Sequence, residues 1–336
     1  LLAAKNRTRL GRSDVSAQPS TTVEILDLRH FSSQELRPLL EQEARVWSKL
    51  LSWDYSGSSE MILRYVDARI LPGYAAVEGS RLRGYSFFVY EQSKGVIGDL
   101  FVGNGNGRKN GTHELEEELL VHVIETLQQS PGIHRVEAQL LIHDSGAVAG
   151  PFVRQKFRAF PRLFMLLPLA DLSPAIAAPR EIEIRKWTEQ DFQPAAAVIT
   201  AAYHGHVDSE INDQYRSLAG SLRFLNNIVR FPGCGTFDPD ASLVAVHRAA
   251  RSMVGMILCS RVRSDVGHVT QVCVLPEFRG MRLGAALVTT AAAALRRRNF
   301  SALSLTVTEA NHGAVELYRK LSFSLRRVFD AFVWEG

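Results

Sequence analysis

The sequence is poor in the residues that build covalent or metal frameworks. Of 336 residues only three are cysteine (Cys234, Cys259 and Cys273), and none forms a C-x-x-C pair or a zinc-ligand spacing. A disulfide scaffold and a metal centre are therefore not expected, and a reducing, cytoplasmic setting is. No apolar run reaches the roughly 18 residues of a membrane-spanning helix. The opening stretch, LLAAKNRTRLGRSDVSAQPSTT, carries cations but no apolar centre. It reads as a disordered tail over residues 1–20 rather than a signal peptide. A strong charge of one sign is also missing. Against 39 Lys and Arg stand 35 Asp and Glu, a formal balance of +4 that gives no ground for expecting nucleic acid. The phosphate loops GxxxxGK[ST] and strand-borne GxGxxG are absent too.

What is present is ample apolar material, 46% of the residues, and a length that allows two domains. A repeat divides the chain. VEILDLRHFSSQELRPLL (Val23 to Leu40) aligns with EIEIRKWTEQDFQPAAAV (Glu181 to Val198) so that Arg29 meets Arg185, Phe31 meets Trp187 and Pro38 meets Pro194. Each copy reads as a short strand and a helix, opened by Ser32-x-x-Glu35 or Thr188-x-x-Asp191, a capping-box pattern. In the first half a strand over 96–102, a helix over 113–128, a strand over 135–142, a broken helix and an apolar run over 164–169 follow. The second half repeats the order: strand 268–275, helix 281–298, strand 302–308, helix 311–321 and strand 324–334. ADLSPAIAAPRE, with Pro174 and Pro179, punctuates the chain between them. The expectation is two α/β units with mixed sheets, at residues 21–170 and 181–336, joined by a linker over 171–180. A single large α/β domain with chance similarity is the alternative.

In VCVLPEFRGMRLGAALV (Val272 to Val288) an apolar strand gives way to RGMRLG and then to an alanine-rich helix. Helix N-termini expose unpaired N–H groups and partial positive charge, glycine admits close backbone approach, and Arg279 and Arg282 stay charged. The loop is chemically suited to a pyrophosphate; a basic surface turn is the plainer reading. A second constellation, NHGAVELYRKLSF (Asn311 to Phe323), begins at a good N-cap and sets Asn311, Ala314 and Tyr318 on one helical face.

The ordered pair V-x-P-x-x-R-G-x-x-x-G and N-x-x-A-x-x-L-Y-x-K-x-x-F, with a strand between, resembles the GCN5-related N-acetyltransferase (GNAT) superfamily. The likeness spans Glu181 to Gly336, and the first half shares it through the repeat. It implies a mixed sheet whose central strands splay to admit acetyl-CoA, and an acetyl group passed to an amine without an acyl-enzyme. It further implies that the main chain of Val272, Cys273 and Val274 pairs with the pantetheine arm. Backbone N–H groups of Arg279, Gly280, Met281, Arg282, Leu283, Gly284 and Ala285 would hold the pyrophosphate, Asn311 would bond near the pantetheine end, and Tyr318 would protonate the leaving thiolate. A phenol, with its ordinary pKa near 10, is chemically apt for that role; a half-buried tyrosine at a sheet edge is the alternative. Two positions depart from the family pattern: Arg282 stands where a glycine is common, and so does Ser322.

The first half lacks this equipment. Its loop, GNGNGRKNGT (Gly103 to Thr112), has no R-G-x-x-x-G order, Gly150-Pro151 interrupts its second helix, and no tyrosine lies between Tyr90 and Tyr203. It reads as a degenerate copy. For the acceptor, Tyr203, His204, Asp208 and Glu210 in YHGHVDSE, and His268 on the central strand, are candidates to bind or deprotonate an amine. The H-x-H-x-D spacing by itself reads as a solvated segment, and His268 has a surface histidine as its alternative. The resulting expectation is an acetyltransferase using acetyl-CoA and no metal, with a small-molecule amine as acceptor, no nucleic-acid or membrane partner, and a monomer or homodimer. The tandem arrangement also resembles that of enzymes acetylating amino-sugar thiols and aminoglycosides. The alternatives are a protein or peptide amine as acceptor, and a non-catalytic acyl-CoA sensor.

Overall fold

The structure, a computed structural model, describes residues 23–103, 110–230 and 235–336. The expected tail (residues 1–20), most of the glycine-rich loop with Arg108 and Lys109, and Cys234 lie outside the described residues. The first half contains β1 (Val23–Asp27), α1 (Ser33–Leu51), α2 (Ser56–Asp67), β2 (Gly73–Glu78) and β3 (Arg81–Glu91). It continues with β4 (Lys94–Val102), α3 (Asn110–Gln129), β5 (Arg135–Gln139), α4 (Ala149–Arg154) and β6 (Arg158–Pro168). The second half opens with β7 (Ile182–Lys186), α5 (Phe192–Ala202), α6 (Asp208–Ile211), α7 (Leu218–Arg230), β8 (Thr236–Phe237) and β9 (Leu243–His247). After these come β10 (Ser252–Arg263), β11 (Val266–Val274), α8 (Leu283–Arg297), β12 (Ala302–Thr308), α9 (His312–Lys320) and β13 (Ser324–Glu335). Apart from the extra short elements between α5 and β9, the two series run in the same order.

Local chemistry accounts for the element ends. Ser32 and Glu35 form the reciprocal capping box at α1, and Thr188 and Asp191 form its counterpart before α5. Pro151, expected to break a helix, sits instead in the first turn of α4, where a missing N–H forfeits no intrahelical bond. Alanines 285, 286, 291 and 292 of α8 are buried, which lets that helix lie close to the sheet.

Both halves contribute to one mixed sheet of the order β1-β2-β3-β4-β5-β13-β6-β12-β11-β10-β9-β7, with β8 beside β10. At its middle the closing strands are exchanged. β13 of the second half pairs with β5 of the first, from Ala331↔Gln139 to Glu335↔Arg135. β6 of the first half pairs with β12 of the second, from Ala302↔Pro168 to Thr308↔Arg162. β6 and β13 also pair with each other. Each half thus covers an edge that the other would expose, and unpaired edges are what sheets must hide. One core cluster crosses the junction, with Leu36, Trp53 and Phe164 beside Val266, Ala302 and Phe329.

Candidate active site

The site begins where two strands separate. β11 and β12 pair in parallel only from Val266↔Ala302 to Val269↔Leu305. Beyond that point β12 follows β6 to Thr308↔Arg162, while β11 follows β10 to Gly255↔Val274. The β12-facing edge of residues 270–274 therefore has no strand partner among the described residues. A cavity of about 570 Å³ lies against it, lined by Val272, Cys273 and Val274, by Arg279, Gly280, Arg282, Leu283, Gly284 and Ala285, and by Asn311 and Tyr318. Of the expected donor-site residues, only Met281 is not in its wall; it is 38% exposed.

The loop above the cavity has two left-handed residues, Gly280 at φ +78° and Arg282 at φ +61°. Glycine takes that conformation freely; arginine does so at a cost. The Arg279 N–H donates to the Pro276 carbonyl at 3.1 Å. Its guanidinium Nη2 donates to the Ala202 carbonyl at 2.6 Å and Nε to that of Val274 at 3.3 Å. Arg279 thus ties the loop to the end of α5. The N–H groups that follow, at the start of α8, belong to a first turn without intrahelical partners.

Asn311 caps α9, its side-chain oxygen accepting from the Ala314 N–H at 3.3 Å. This fixes the helix that carries Tyr318. That phenol is buried, and burial, with the charge of Asp208 added, pushes its pKa up. It therefore holds its proton at neutral pH. The Cys273 thiol is pushed up to about 12 by burial, so it offers no thiolate nucleophile.

A second, smaller cavity of about 250 Å³ shares Tyr203, Val272, Asn311, Ala314 and Tyr318 with the first. Asp208 and His268 also line it. Tyr203 donates to Gln271 Oε1 at 2.8 Å and packs its ring 4.4 Å from that of Tyr215. Asp208 accepts from the Thr308 hydroxyl and lies 3.5 Å from His206 Nδ1. His268, far from being a surface residue, is 5% exposed. Its Nδ1 lies 2.9 Å from the Ser304 hydroxyl, which also lies 3.2 Å from the Gly267 carbonyl. Burial, then the charge of Arg162, lowers its pKa to about 3; the ring is neutral and a weak base. His204 and Glu210 stand outside both walls: His204 is exposed, and Glu210 pairs with Arg158 at 2.6 Å.

The first half parts its strands too. β4 and β5 pair only to Ile97↔Ala138, and beyond them His143 Nε2 donates to the Leu100 carbonyl at 2.9 Å. That side chain bridges the segment after β5 to β4 across the parted strands.

Sequence reading missed the contribution of the first half to the smaller cavity, where Trp53, Gln139, Leu141 and Arg162 form part of the wall. Their convergence depends on the strand exchange, which leaves no local signal. Gln271, a polar residue inside the run VTQVCV, was the one hint available. Among the described residues no three His, Cys, Asp or Glu side chains group to hold a metal ion, and no helix is long and apolar enough to cross a membrane.

A splayed parallel strand pair, a glycine-bearing loop at a helix N-terminus and a helix presenting a buried tyrosine mark the second half as a domain of the GNAT superfamily of acyltransferases. Residues 209–323 match the Acetyltransferase (GNAT) family. More particularly, the chain has the tandem form of that fold, two GNAT-like units in one polypeptide. Over 323 residues it is 28% identical to a mycothiol acetyltransferase of Thermobispora bispora, spanning 93% of this chain and 96% of that protein. In fold it is similar to a GCN5-related N-acetyltransferase from Sphaerobacter thermophilus, with a TM-score of 0.65 at 17% identity, covering 94% of this chain and 96% of the other. It is also similar to a tandem GNAT protein from the clavulanic acid biosynthesis pathway, with a TM-score of 0.59 at 14% identity, covering 94% and 98%.

Proposed function

We propose that the chain is an N-acetyltransferase that takes the acetyl group of acetyl-CoA and gives it to a small-molecule amine at a single site in its second half. The observation that carries this reading is the unpaired edge of residues 270–274 beside the cavity of about 570 Å³. Extended backbone N–H and C=O groups there suit the amides of a pantetheine arm. The N–H groups from Gly280 to Ala285 suit the pyrophosphate, with the Arg282 guanidinium nearby; Met281 takes part through its main chain. Acetyl-CoA supplies an activated acyl group. Asp208 holds the acceptor amine in the smaller cavity, and Tyr318 returns a proton to the departing sulfur. An oriented N–H of Val272 to Val274 faces the developing oxyanion.

The first half, residues 21–170, is read as a degenerate copy without a cofactor site, and residues 171–180 as the linker to the unit at 181–336. The hydrogen bond of His143 to the Leu100 carbonyl across its parted strands supports that reading. The name of the Thermobispora relative, a mycothiol acetyltransferase, supports a small-molecule acceptor over a protein. An intracellular thioester donor is the reason for expecting a cytoplasmic enzyme.

The test is calorimetric titration of acetyl-CoA together with product analysis on an amine panel. One site per chain, with acetylated amine formed and its rate lowered at least ~100-fold by Tyr318→Phe, is the expected result. Binding without product from any amine, and without effect of Tyr318→Phe, favours an acyl-CoA sensor.

A further inference from the structure

The smaller cavity holds two opposite charges that do not neutralise each other. Arg162, from the first half, and Asp208, from the second, both line it, yet no carboxylate oxygen among the described residues lies within 4.0 Å of the Arg162 guanidinium. The protein bond found for that guanidinium is a weak one, from Nη2 to the Thr306 hydroxyl at 3.3 Å. Its Nε is buried without a partner, and so is the Nε2 of Gln271 in the same wall. A half-buried cation in the chamber wall without a counter-ion, on a residue whose Nε and whose neighbour's Nε2 the protein leaves unmatched, is unfavourable, and an acceptor in the chamber would satisfy the guanidinium. The Arg162 charge is also felt at His268 and Tyr215, both in this wall. Asp208 lies toward Tyr318, whose phenol feels its charge.

We infer that the acceptor carries a carboxylate as well as its amine, and that Arg162, helped by Gln271, binds the carboxylate while Asp208 holds the amine next to Tyr318. This rests on the acetyl-transfer reading above and names the acceptor class for it. The guanidinium fork matches a carboxylate geometrically. One cation with neutral donors balances a single negative charge rather than the double charge of a phosphate. The chamber of about 250 Å³ favours a compact molecule. Arg162 belongs to β6, so the exchanged strand of the first half would set the specificity of a site in the second.

The experiment uses matched pairs: the amino acids from glycine to 6-aminohexanoate, each beside its carboxamide. Binding is read by calorimetry on the full chain without acetyl-CoA, and turnover with it. At least one acid is expected to bind, and to be acetylated with kcat/KM, at least tenfold better than its amide. Arg162→Gln should bring that ratio close to one, and Arg162→Lys should restore part of it. Equal treatment of acid and amide by the unaltered protein overturns the inference, and so does an acid preference that survives Arg162→Gln. The binding arm needs no cofactor. An acid preference in binding alongside failure to bind acetyl-CoA would therefore sink the acetyl-transfer reading and leave the carboxylate site standing.

Discussion

Lys94 of the first half places its Nζ 2.6 Å from Oδ1 of Asp213 in the second, 119 residues away. The same ammonium lies 3.1 Å from Glu137 and is almost fully buried. Burial alone would lower its pKa, but the carboxylates of Glu137, Asp213 and Glu91 outweigh it and hold the value above normal. A cation whose folded pKa is raised contributes stability below its unfolded value, near 10.4, that is lost as pH rises through the folded one. Lys94→Met should leave Glu137 paired with Arg135 alone and Asp213 without its cation, and cost about 3 kcal/mol in urea unfolding at pH 7. The difference from the parent protein should shrink as pH rises through the raised pKa of Lys94.

Glu43 presents the opposite case. It is fully buried, bonded to Tyr85 and Trp47, and raised well above the ordinary carboxyl range by burial and by the charge of Asp99. The folded protein keeps a proton that the unfolded chain releases, so this group makes stability fall as pH climbs from about 4.5 through its folded pKa. Glu43→Gln should remove that fall. Thermal unfolding should show the variant gaining on the parent between pH 5 and pH 8, with no gain at pH 4.

Arg282 and Ser322 both stand at left-handed positions, φ +61° and φ +67°. These are the two places where the family pattern has glycine, so the departures seen in the sequence are backbone strain in the fold. Ser322→Gly should stabilise the chain by about 0.5–1 kcal/mol in denaturant unfolding. Arg282→Gly should relieve similar strain but also weaken acetyl-CoA binding, since it removes a cation from the cavity wall.

The proposed mechanism uses Tyr318 in its protonated form, and its pKa is raised. The alkaline fall of kcat, seen for a phenol acid near its ordinary value of about 10, should therefore lie above pH 10. A rate profile from pH 7 to 10.5 that stays level where Tyr318 is intact checks this. A fall centred below pH 9 would assign the limb to another group.

The second half was largely legible because its motifs are local. The span 302–308 is β12 to the residue, and α9 starts after Asn311, which caps it. The loop from Arg279 to Gly284 enters α8 as its spacing implies, although that helix begins at Leu283 rather than Met281. What the residues did not disclose is pairing. The valines and aromatics of Ser324–Glu335 mark a strand but not its neighbours, so the exchange of β6 and β13 was invisible. With it went the presence of Arg162 and Trp53 in the smaller cavity. Burial was equally hidden for His268, which occupies one place in an alternating strand and touches Ser304 from a neighbouring one.

The exchanged strands have a consequence for proteolysis. β13 lies between β5 and β6, and β6 lies between β13 and β12. A cut between residues 171 and 180 would sever the polypeptide but no rung of that ladder. The two fragments should co-elute in gel filtration and part only in denaturant. The covalent join would then be dispensable, and the two pieces, produced separately, should find each other like the subunits of a heterodimer.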